Sequence, residues 1–569
     1  MDSGPHVRGR EVRARLLVAV LAAGLVPASD AAASQTGRLL VTLDQESRPA
    51  PVGRAAAAGL AARVGARLSG ARVPQLGLVT VRPEAGTSVA DVARRLRAQR
   101  GVARVEVEQR AHLRAVPNDP ALVAPEPAAG TPPGTPVQWW AARQGLLAAW
   151  DVPQARDATV AVIDTGIDGM HPEFVGRISS TTDNDQTTGR GPATVDETGH
   201  GTHVASMACA AADNAIGIAG AGYGCRMLVY KSDLSDSSVA ASIVQAADRG
   251  AHAINMSFGT DGASPVSRVV RSAIEYAYER DVILVSAAAD TPTQRQGYPS
   301  DVLQPTGSGG DITSGLGLSV TAANFADQRA SFAGFGSQIS LAAYGAWNTG
   351  SGGPKGLLGA FPGQPTELES GAAVTLTAPC NCRTTFAGDD RWAYVQGTSM
   401  ASPIVAATAA MVRRLNPDLD AATVIRLLKQ TARRPPGTGW EPNLGWGILD
   451  AGAAVGAARL IDRRAPSTRI EVLRPRSTTI TLRVVGADRA PDGVVPSGIA
   501  RYDVMRSIGD AKATRIAWST ARGVRFRLKV RRGPRYSFWA VATDKAGNRE
   551  AAPRRPDAQI RLKVRDAQP

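Results

Sequence analysis

The chain has 569 residues, 43% of them hydrophobic and 20% charged, with a formal net charge of +15. This length predicts several domains, and this composition excludes a disordered or collagen-like chain. Residues 1–116 hold 18 basic and 9 acidic side chains, residues 117–460 hold 22 and 31, and residues 461–569 hold 25 and 10, so an acidic middle between two basic ends predicts three modules.

Residues 1–33 read as a secretory signal peptide. Arg8, Arg10, Arg13 and Arg15 precede an apolar run from Leu16 to Val26, and Ala31-Ala32-Ala33 offers a small-residue cleavage site. The run is too short for a membrane span, and no later stretch reaches the roughly 18 apolar residues a span needs. A secreted, extracellular protein that is not membrane-spanning is therefore expected, with cell-wall association as a variant. From residue 34 to 115 a small α+β unit is expected. Its strands are Leu39–Leu43, Leu76–Val81 and Val102–Glu108, and its helix runs from Val89 to Gln99 with Val89, Val92, Ala93 and Leu96 on one face. Placed between a signal peptide and the candidate chemistry downstream, it reads as a pro-domain. Residues 116–137, with Pro125, Pro127, Pro132, Pro133 and Pro136, have the composition of a linker, and a cut between Ala115 and Val137 is expected.

From 138 to 460 short apolar runs alternate with helical patterns. Thr159–Ile163, Met227–Tyr230, Ala253–Met256 and Val282–Val285 predict buried parallel strands of an α/β sheet, whose carboxyl ends are where functional residues gather. Asp164 directly follows the first of these strands. His200 stands in Gly199-His200-Gly201-Thr202-His203, at the start of a small-residue helix. His200 and His203, three apart, would suit a metal pair, but no further ligand cluster accompanies them, so His203 is expected to pack inside the fold. Ser399 stands in Gly397-Thr398-Ser399-Met400-Ala401-Ser402-Pro403, ahead of a helix from Ile404 to Val412 that is apolar on nearly every side and therefore buried. A serine held at the positive end of such a helix suits a nucleophile whose target becomes an oxyanion. In an exported chain Cys209, Cys225, Cys380 and Cys382 are disulfide candidates. Cys209–Cys225 is the first pairing expected, with Cys380–Cys382 as its complement, and the spacings match no usual zinc pattern.

The three motifs around Asp164, His200 and Ser399 resemble, in that order, the signatures of the subtilisin-like serine proteases. The resemblance covers about residues 137–460, and the 38–113 stretch resembles the family's inhibitory pro-domain. It implies an α/β fold with a subtilisin-like parallel sheet and helices on both faces. It also implies that Ser399 attacks the substrate carbonyl, His200 takes its proton and Asp164 orients His200. Ser257, Phe258 and Gly259 would border the bound substrate, with Ala287, Ala288 and Ala289 as the opposite wall. Asp290 and the Ser399 amide would form the oxyanion hole, yet the family normally has asparagine where Asp290 stands. An ionised carboxylate only accepts hydrogen bonds; it could donate only when protonated, and Thr291 or Thr293 could serve instead. No cofactor is implied for the chemistry. Structural calcium is a candidate at Glu173, Asn214, Ile216 and Ile218 by the same resemblance. The stretches Gln304–Gly317 and Asn348–Gly363 read as surface insertions.

From 461 to 569 period-two runs, Thr479–Val484, Val524–Val530 and Tyr536–Ala542, predict an all-β sandwich. Thr543–Asn548 resembles a turn of bacterial immunoglobulin-like modules. The basic charge of this module would suit an anionic cell-surface polymer through sequence-blind attraction, with no specific nucleic acid. The expected partners are otherwise protein or peptide substrates and the chain's own pro-domain as intramolecular inhibitor. The whole reads as a secreted serine endopeptidase. The alternative is a catalytically impaired binding or adhesion protein that acts through its basic C-terminal module.

Overall fold

A computed structural model describes residues 34–44, 54–84, 87–110, 116–260, 262, 264, 267–350, 352–372, 379–473, 478–520 and 525–563. The expected signal peptide and residues 111–115, at the end of the expected pro-domain, lie outside them. By internal contacts the chain divides into Met1–Ala111 and His112–Pro569.

In the first unit a four-stranded sheet is ordered Ala66–Val73, Leu78–Pro83, Ser34–Leu43, Val102–Arg110, with every pairing antiparallel. Helices Arg54–Arg63 and Val89–Arg97 accompany it, and Leu39, Val41, Leu60, Val79, Val81, Val92 and Leu96 fill one core. Ser88 starts the second helix by accepting from the Asp91 amide at 3.0 Å, the capping that a serine supplies before an apolar stripe.

The second unit is built on a seven-stranded sheet, ordered Leu341–Tyr344, Leu318–Ala323, Ile283–Ala287, Ala253–Met256, Thr159–Asp164, Arg226–Lys231, Ile178–Asp183, and parallel throughout. Strand residues alternate between two faces. Val160 and Val162 join one core with the helices His200–Cys209 and Thr398–Leu415. Ala161 and Ile163 join another with Asp236–Asp248 and Arg268–Glu279. Coverage on both sides explains why the inner strands are apolar runs without alternation, whereas the edge strand Ile178–Asp183 alternates, and the expected α/β fold with helices on both faces is the one found.

Two expectations are corrected. Residues 116–137 are not a linker but part of this unit. Asp119 and Ala121 are fully buried, the Ala121 amide donates to Gly217 O at 2.9 Å, and Glu126 Oε2 accepts from the Tyr394 hydroxyl. Backbone and side-chain bonds of this kind tie the stretch to the unit, while Pro125, Pro127, Pro132 and Pro133 stay exposed. Asn348–Gly363 is likewise no mere surface insertion, because Leu357–Ala360 is a buried strand that pairs antiparallel with Asp389–Val395. Gln304, at the start of the other expected insertion, is fully buried and its Oε1 accepts from Lys429 Nζ at 2.8 Å.

Beyond residue 461 two antiparallel sheets face each other. One is Ser467–Leu473, Thr479–Ala487 and Arg525–Lys529; the other is Thr514–Ser519, Ile499–Ile508, Arg535–Asp544 and Ala558–Arg561. Ile480, Leu482, Val484, Tyr502, Val504 and Phe538 lie between them. Polar contacts join this sandwich to the body built on the parallel sheet. The Val495 amide donates to Arg459 O at 2.8 Å, and Arg459 Nε donates to Gly493 O at 3.2 Å. Asp462, Asp488 and Asp544 gather at the same junction. Among the described residues no helix is long and apolar enough to cross a membrane.

Candidate active site

The carboxyl end of the Thr159–Asp164 strand delivers Asp164, 2% exposed, to the edge of the core. Its Oδ1 accepts from the Thr165 amide at 2.8 Å and from His200 Nδ1 at 2.7 Å. With the Nδ1 proton committed to Asp164, His200 Nε2 is the free, basic nitrogen. His200 opens the His200–Cys209 helix, and its side chain keeps 23% exposure. Burial works against the charged imidazole, but Asp164, through charge and hydrogen bond, outweighs it together with Asp196 and Asp290, and the pKa rises above 6.5.

Close packing holds that helix start in place. Gly199 has φ 89°, and a β-carbon there would meet the Phe361 ring at 2.7 Å; one at Gly201 would meet Gly166 O at 2.2 Å. Asp196, which the sequence reading missed, is 4% exposed and accepts from the Gly199 amide (2.9 Å), the Thr202 amide (2.8 Å), the Thr202 hydroxyl (2.6 Å) and the Thr165 hydroxyl (2.8 Å). Its signal was an aspartate shortly before a Gly-His helix start, a capping position. His203 is fully buried, with Nε2 against Leu357 O at 3.1 Å and Ala393 O at 3.2 Å, and burial pushes its pKa down to about 4. It is a neutral packing residue, as expected.

Ser399 lies in the first turn of the 18-residue Thr398–Leu415 helix and is 9% exposed. Pro403, four residues on, has no N–H to give the Ser399 carbonyl. Ser257 Oγ donates to that carbonyl instead, at 2.9 Å. Asn255 Nδ2 donates to Ser257 Oγ at 2.9 Å, and Ser402 Oγ donates to Asn255 Oδ1 at 2.9 Å, so the Ser399 turn is tied to the neighbouring strand end. Ser399 Oγ itself donates to Ser257 O at 2.9 Å, and among the described residues no hydrogen bond joins it to His200. Such bonds tighten when substrate is bound. The Ser399 amide has no partner among the described residues and remains a free donor at the helix end.

The register pairs Met256 with Ser286, so Ser257-Phe258-Gly259 and Ala287-Ala288-Ala289 leave the sheet side by side. Asp290 follows, exposed at the cleft. Its Oδ1 accepts from the Thr398 amide at 2.8 Å, while Oδ2 has no hydrogen-bond partner among the described residues. Thr291 O accepts from the Thr293 amide and Thr293 Oγ1 from the Arg295 amide, while Thr293 O accepts from the Phe335 amide at 2.9 Å.

The calcium set expected at Glu173, Asn214, Ile216 and Ile218 does not fit an ion. Calcium takes six to eight oxygen ligands, but both Glu173 oxygens are turned to N–H donors, the Ile218 amide at 2.9 Å and Asn214 Nδ2 at 3.0 Å, and Asn214 Oδ1 accepts from the Ile216 amide. Glu173 is fully buried, and burial pushes its pKa up to about 8. The loop is strapped from outside by Asn118 Oδ1, which accepts from the Ala215 amide, and Asp119 Oδ2, which accepts from the Asp213 amide. Disulfides join Cys209 to Cys225 and Cys380 to Cys382; the first ties the end of the His200 helix to the strand after it.

The sequence profile of the subtilase family matches residues 155–447, just over half the chain and inclusive of Asp164, His200 and Ser399. The chain belongs to the subtilase family. This is a family of serine endopeptidases, and relatives within it bear protease names. Thermitase of Thermoactinomyces vulgaris is 28% identical over 300 residues, covering 51% of this subtilase and 86% of thermitase. An extracellular protease of Xanthomonas campestris pv. campestris is 30% identical over 406 residues, covering 64% of this chain and 61% of that one. A thermophilic serine proteinase of Bacillus sp. strain AK1 is 29% identical over 302 residues, covering 51% and 60%. The subtilase thus spans about three fifths of the last two relatives.

Proposed function

We propose that this subtilase is a secreted endopeptidase that cleaves peptide bonds through an acyl-enzyme on Ser399. The observation that carries the reading is the 2.7 Å bond from His200 Nδ1 to Asp164 Oδ1, set beside the turn that holds Ser399. Substrate enters in extended form along Ser257–Gly259. Ser399 Oγ releases Ser257 O, gives its proton to His200 Nε2 and bonds to the carbonyl carbon, whose oxygen takes the negative charge. The Ser399 amide and the helix end stabilise that oxygen. Asp164 holds the tautomer and stabilises the imidazolium. As the tetrahedral species collapses, His200 gives the proton to the departing amine, and water repeats the cycle on the ester. No cofactor takes part. The N-terminal unit serves as intramolecular inhibitor and is removed by a cut ahead of Asn118, because the Asn118–Val137 stretch is built into the catalytic body.

Asp290 favours a second reading, a binding protein whose turnover is impaired and whose basic sandwich holds an anionic cell-surface polymer. On that sandwich Asp503, 2% exposed, is ringed by Arg501, Arg515 and Arg549, and the Arg501 guanidinium lies 5.5 Å from the ring centre of Trp518, which is 59% exposed. A fluorophosphonate reagent separates the two. The endopeptidase reading expects one label per chain, on the Ser399 peptide, and hydrolysis of a peptide amide that Ser399→Ala abolishes. No label and no hydrolysis, with retention on an anionic polymer, would support the second reading.

A further inference from the structure

The outer face of the four-stranded sheet in the sandwich is more ordered than solubility requires. Strand residues alternate between faces. Tyr502, Val504, Phe538 and Ala540 point into the core, so Arg501, Asp503 and Trp539 point outward, and the register sets Trp518 directly opposite Asp503. Asp503 is 2% exposed although it lies on this outward face, and three arginines gather on it. Arg501 donates to Oδ1 from Nε at 2.7 Å and from Nη2 at 2.6 Å, and Arg549 Nη1 donates to Oδ2 at 3.0 Å. Arg515 Nη1 lies 3.6 Å from Oδ1.

A carboxylate has about four acceptor sites, and each guanidinium has about five N–H donors. Most donors on the three arginines are therefore left over, held in place by a buried anion that they outnumber. Their side chains are 38%, 52% and 54% exposed, and among the described residues none of them pairs with any other acid. Trp518 stands beside them, 59% exposed, with its ring centre 5.5 Å from the Arg501 guanidinium. The cations on the other sheet are arranged differently. Arg525, Arg527 and Lys529 are exposed along an edge strand and form no ion pair among the described residues, which is the placement that keeps an open edge from pairing with another chain.

We propose that the Trp518 face docks an acidic polysaccharide, with a sugar ring lying on the indole and the ring's own carboxylate on the guanidinium donors that Asp503 leaves free. The proposal deepens the polymer-binding reading above and does not depend on turnover at Ser399. Charge complementarity selects a polyanion, and the indole narrows the class. It is an apolar plate that gains by being covered, and the C–H face of a pyranose covers it. Plate and anion site face each other across one strand pair, so ring and charge belong to one monomer, as in a uronic acid, whose carboxyl is carried on a ring carbon. A nucleotide holds its phosphate away from the base by the width of a sugar, and a polyphosphate has no ring to stack.

The test is binding of the full-length Ser399→Ala chain to polygalacturonate, dextran and polyphosphate, by affinity electrophoresis and calorimetry at fixed salt. Polygalacturonate is expected to bind more tightly than polyphosphate of equal charge, and neutral dextran not to bind. Trp518→Ala should weaken polygalacturonate about tenfold and leave polyphosphate unchanged. Arg515→Gln together with Arg549→Gln should weaken both polyanions. Arg525→Gln, Arg527→Gln and Lys529→Gln combined should leave polygalacturonate binding within about twofold. Melting temperature checks that each variant is folded. Equal affinity for polyphosphate and polygalacturonate, an unaffected Trp518→Ala, or a loss on the Arg525 strand as large as that at Trp518 overturns the proposal and leaves sequence-blind attraction in its place. Failure of every polyanion to bind would strike down the polymer-binding reading as well.

Discussion

At the scale of single residues, the account assigns different protonation states to neighbours within one small volume. Asp164 is held by the Thr165 amide and His200, so Asp164→Asn is expected to misorient the imidazole and lower kcat by on the order of 10,000-fold with little change in KM. Steady-state kinetics with folding checked by Ser399 labelling measures it. Glu173 gives a pH prediction of known sign. Its folded pKa, about 8, lies above the ordinary 4.5, so the folded state holds the proton more tightly and its stabilisation is lost as pH rises through 8. Melting temperature of the Ser399→Ala chain should fall from about pH 6.5 to 8 and level off above 8, and Glu173→Gln should flatten that slope. His203, down at about 4, does not titrate in this window. The residues with chemistry of their own were legible in the sequence because their motifs are local: strand then Asp164, Gly-His-Gly around His200, Gly-Thr-Ser around Ser399. Asp196 was not, because its four donors converge only once the His200 helix is folded. Glu173 was read as a metal ligand because a sequence does not reveal which way a carboxylate points.

At the scale of elements, what matters is how the three strand ends and two helices are pinned together. Asp196 closes the start of the His200 helix, so Asp196→Ala should leave buried donors unsatisfied. A cost of roughly 1–3 kcal/mol and a drop in kcat larger than any change in KM are expected, read by denaturant unfolding and kinetics. The strap from Asn118 to Asp119 is the other pin. Asn118→Ala together with Asp119→Ala should lower the melting temperature, whereas an unaltered melting temperature would mean that the 213–218 loop holds itself. The strands Thr159–Asp164, Arg226–Lys231, Ala253–Met256 and Ile283–Ala287 could be read directly, since burial on both faces makes them mostly apolar. Arg54–Arg63 escaped because its residues, mostly alanine, carry no amphipathic stripe. The 116–137 stretch was misread because proline and glycine mark irregular backbone, and irregular backbone can be buried when its amides find partners such as Gly217 O.

At the scale of the whole molecule, an acidic catalytic body carries a basic sandwich through a polar junction. Charge placed this way predicts that the full chain is retained on an anionic polymer such as heparin, that retention falls steeply with salt, and that a chain ending at residue 460 loses it while still hydrolysing a peptide amide. The period-two strands beyond residue 461 were visible in the sequence alone, whereas the junction contacts, Arg459 to Gly493 and Val495 to Arg459, join residues too far apart in sequence to be anticipated. The most direct test of the central claim is a time course of the purified full chain beside Ser399→Ala, followed by intact-mass spectrometry. The account predicts that the unaltered chain sheds its N-terminal unit by a cut ahead of Asn118 while Ser399→Ala stays whole. Equal cleavage of both chains, or an unaltered chain that neither matures nor hydrolyses a peptide once that unit is removed, would contradict it.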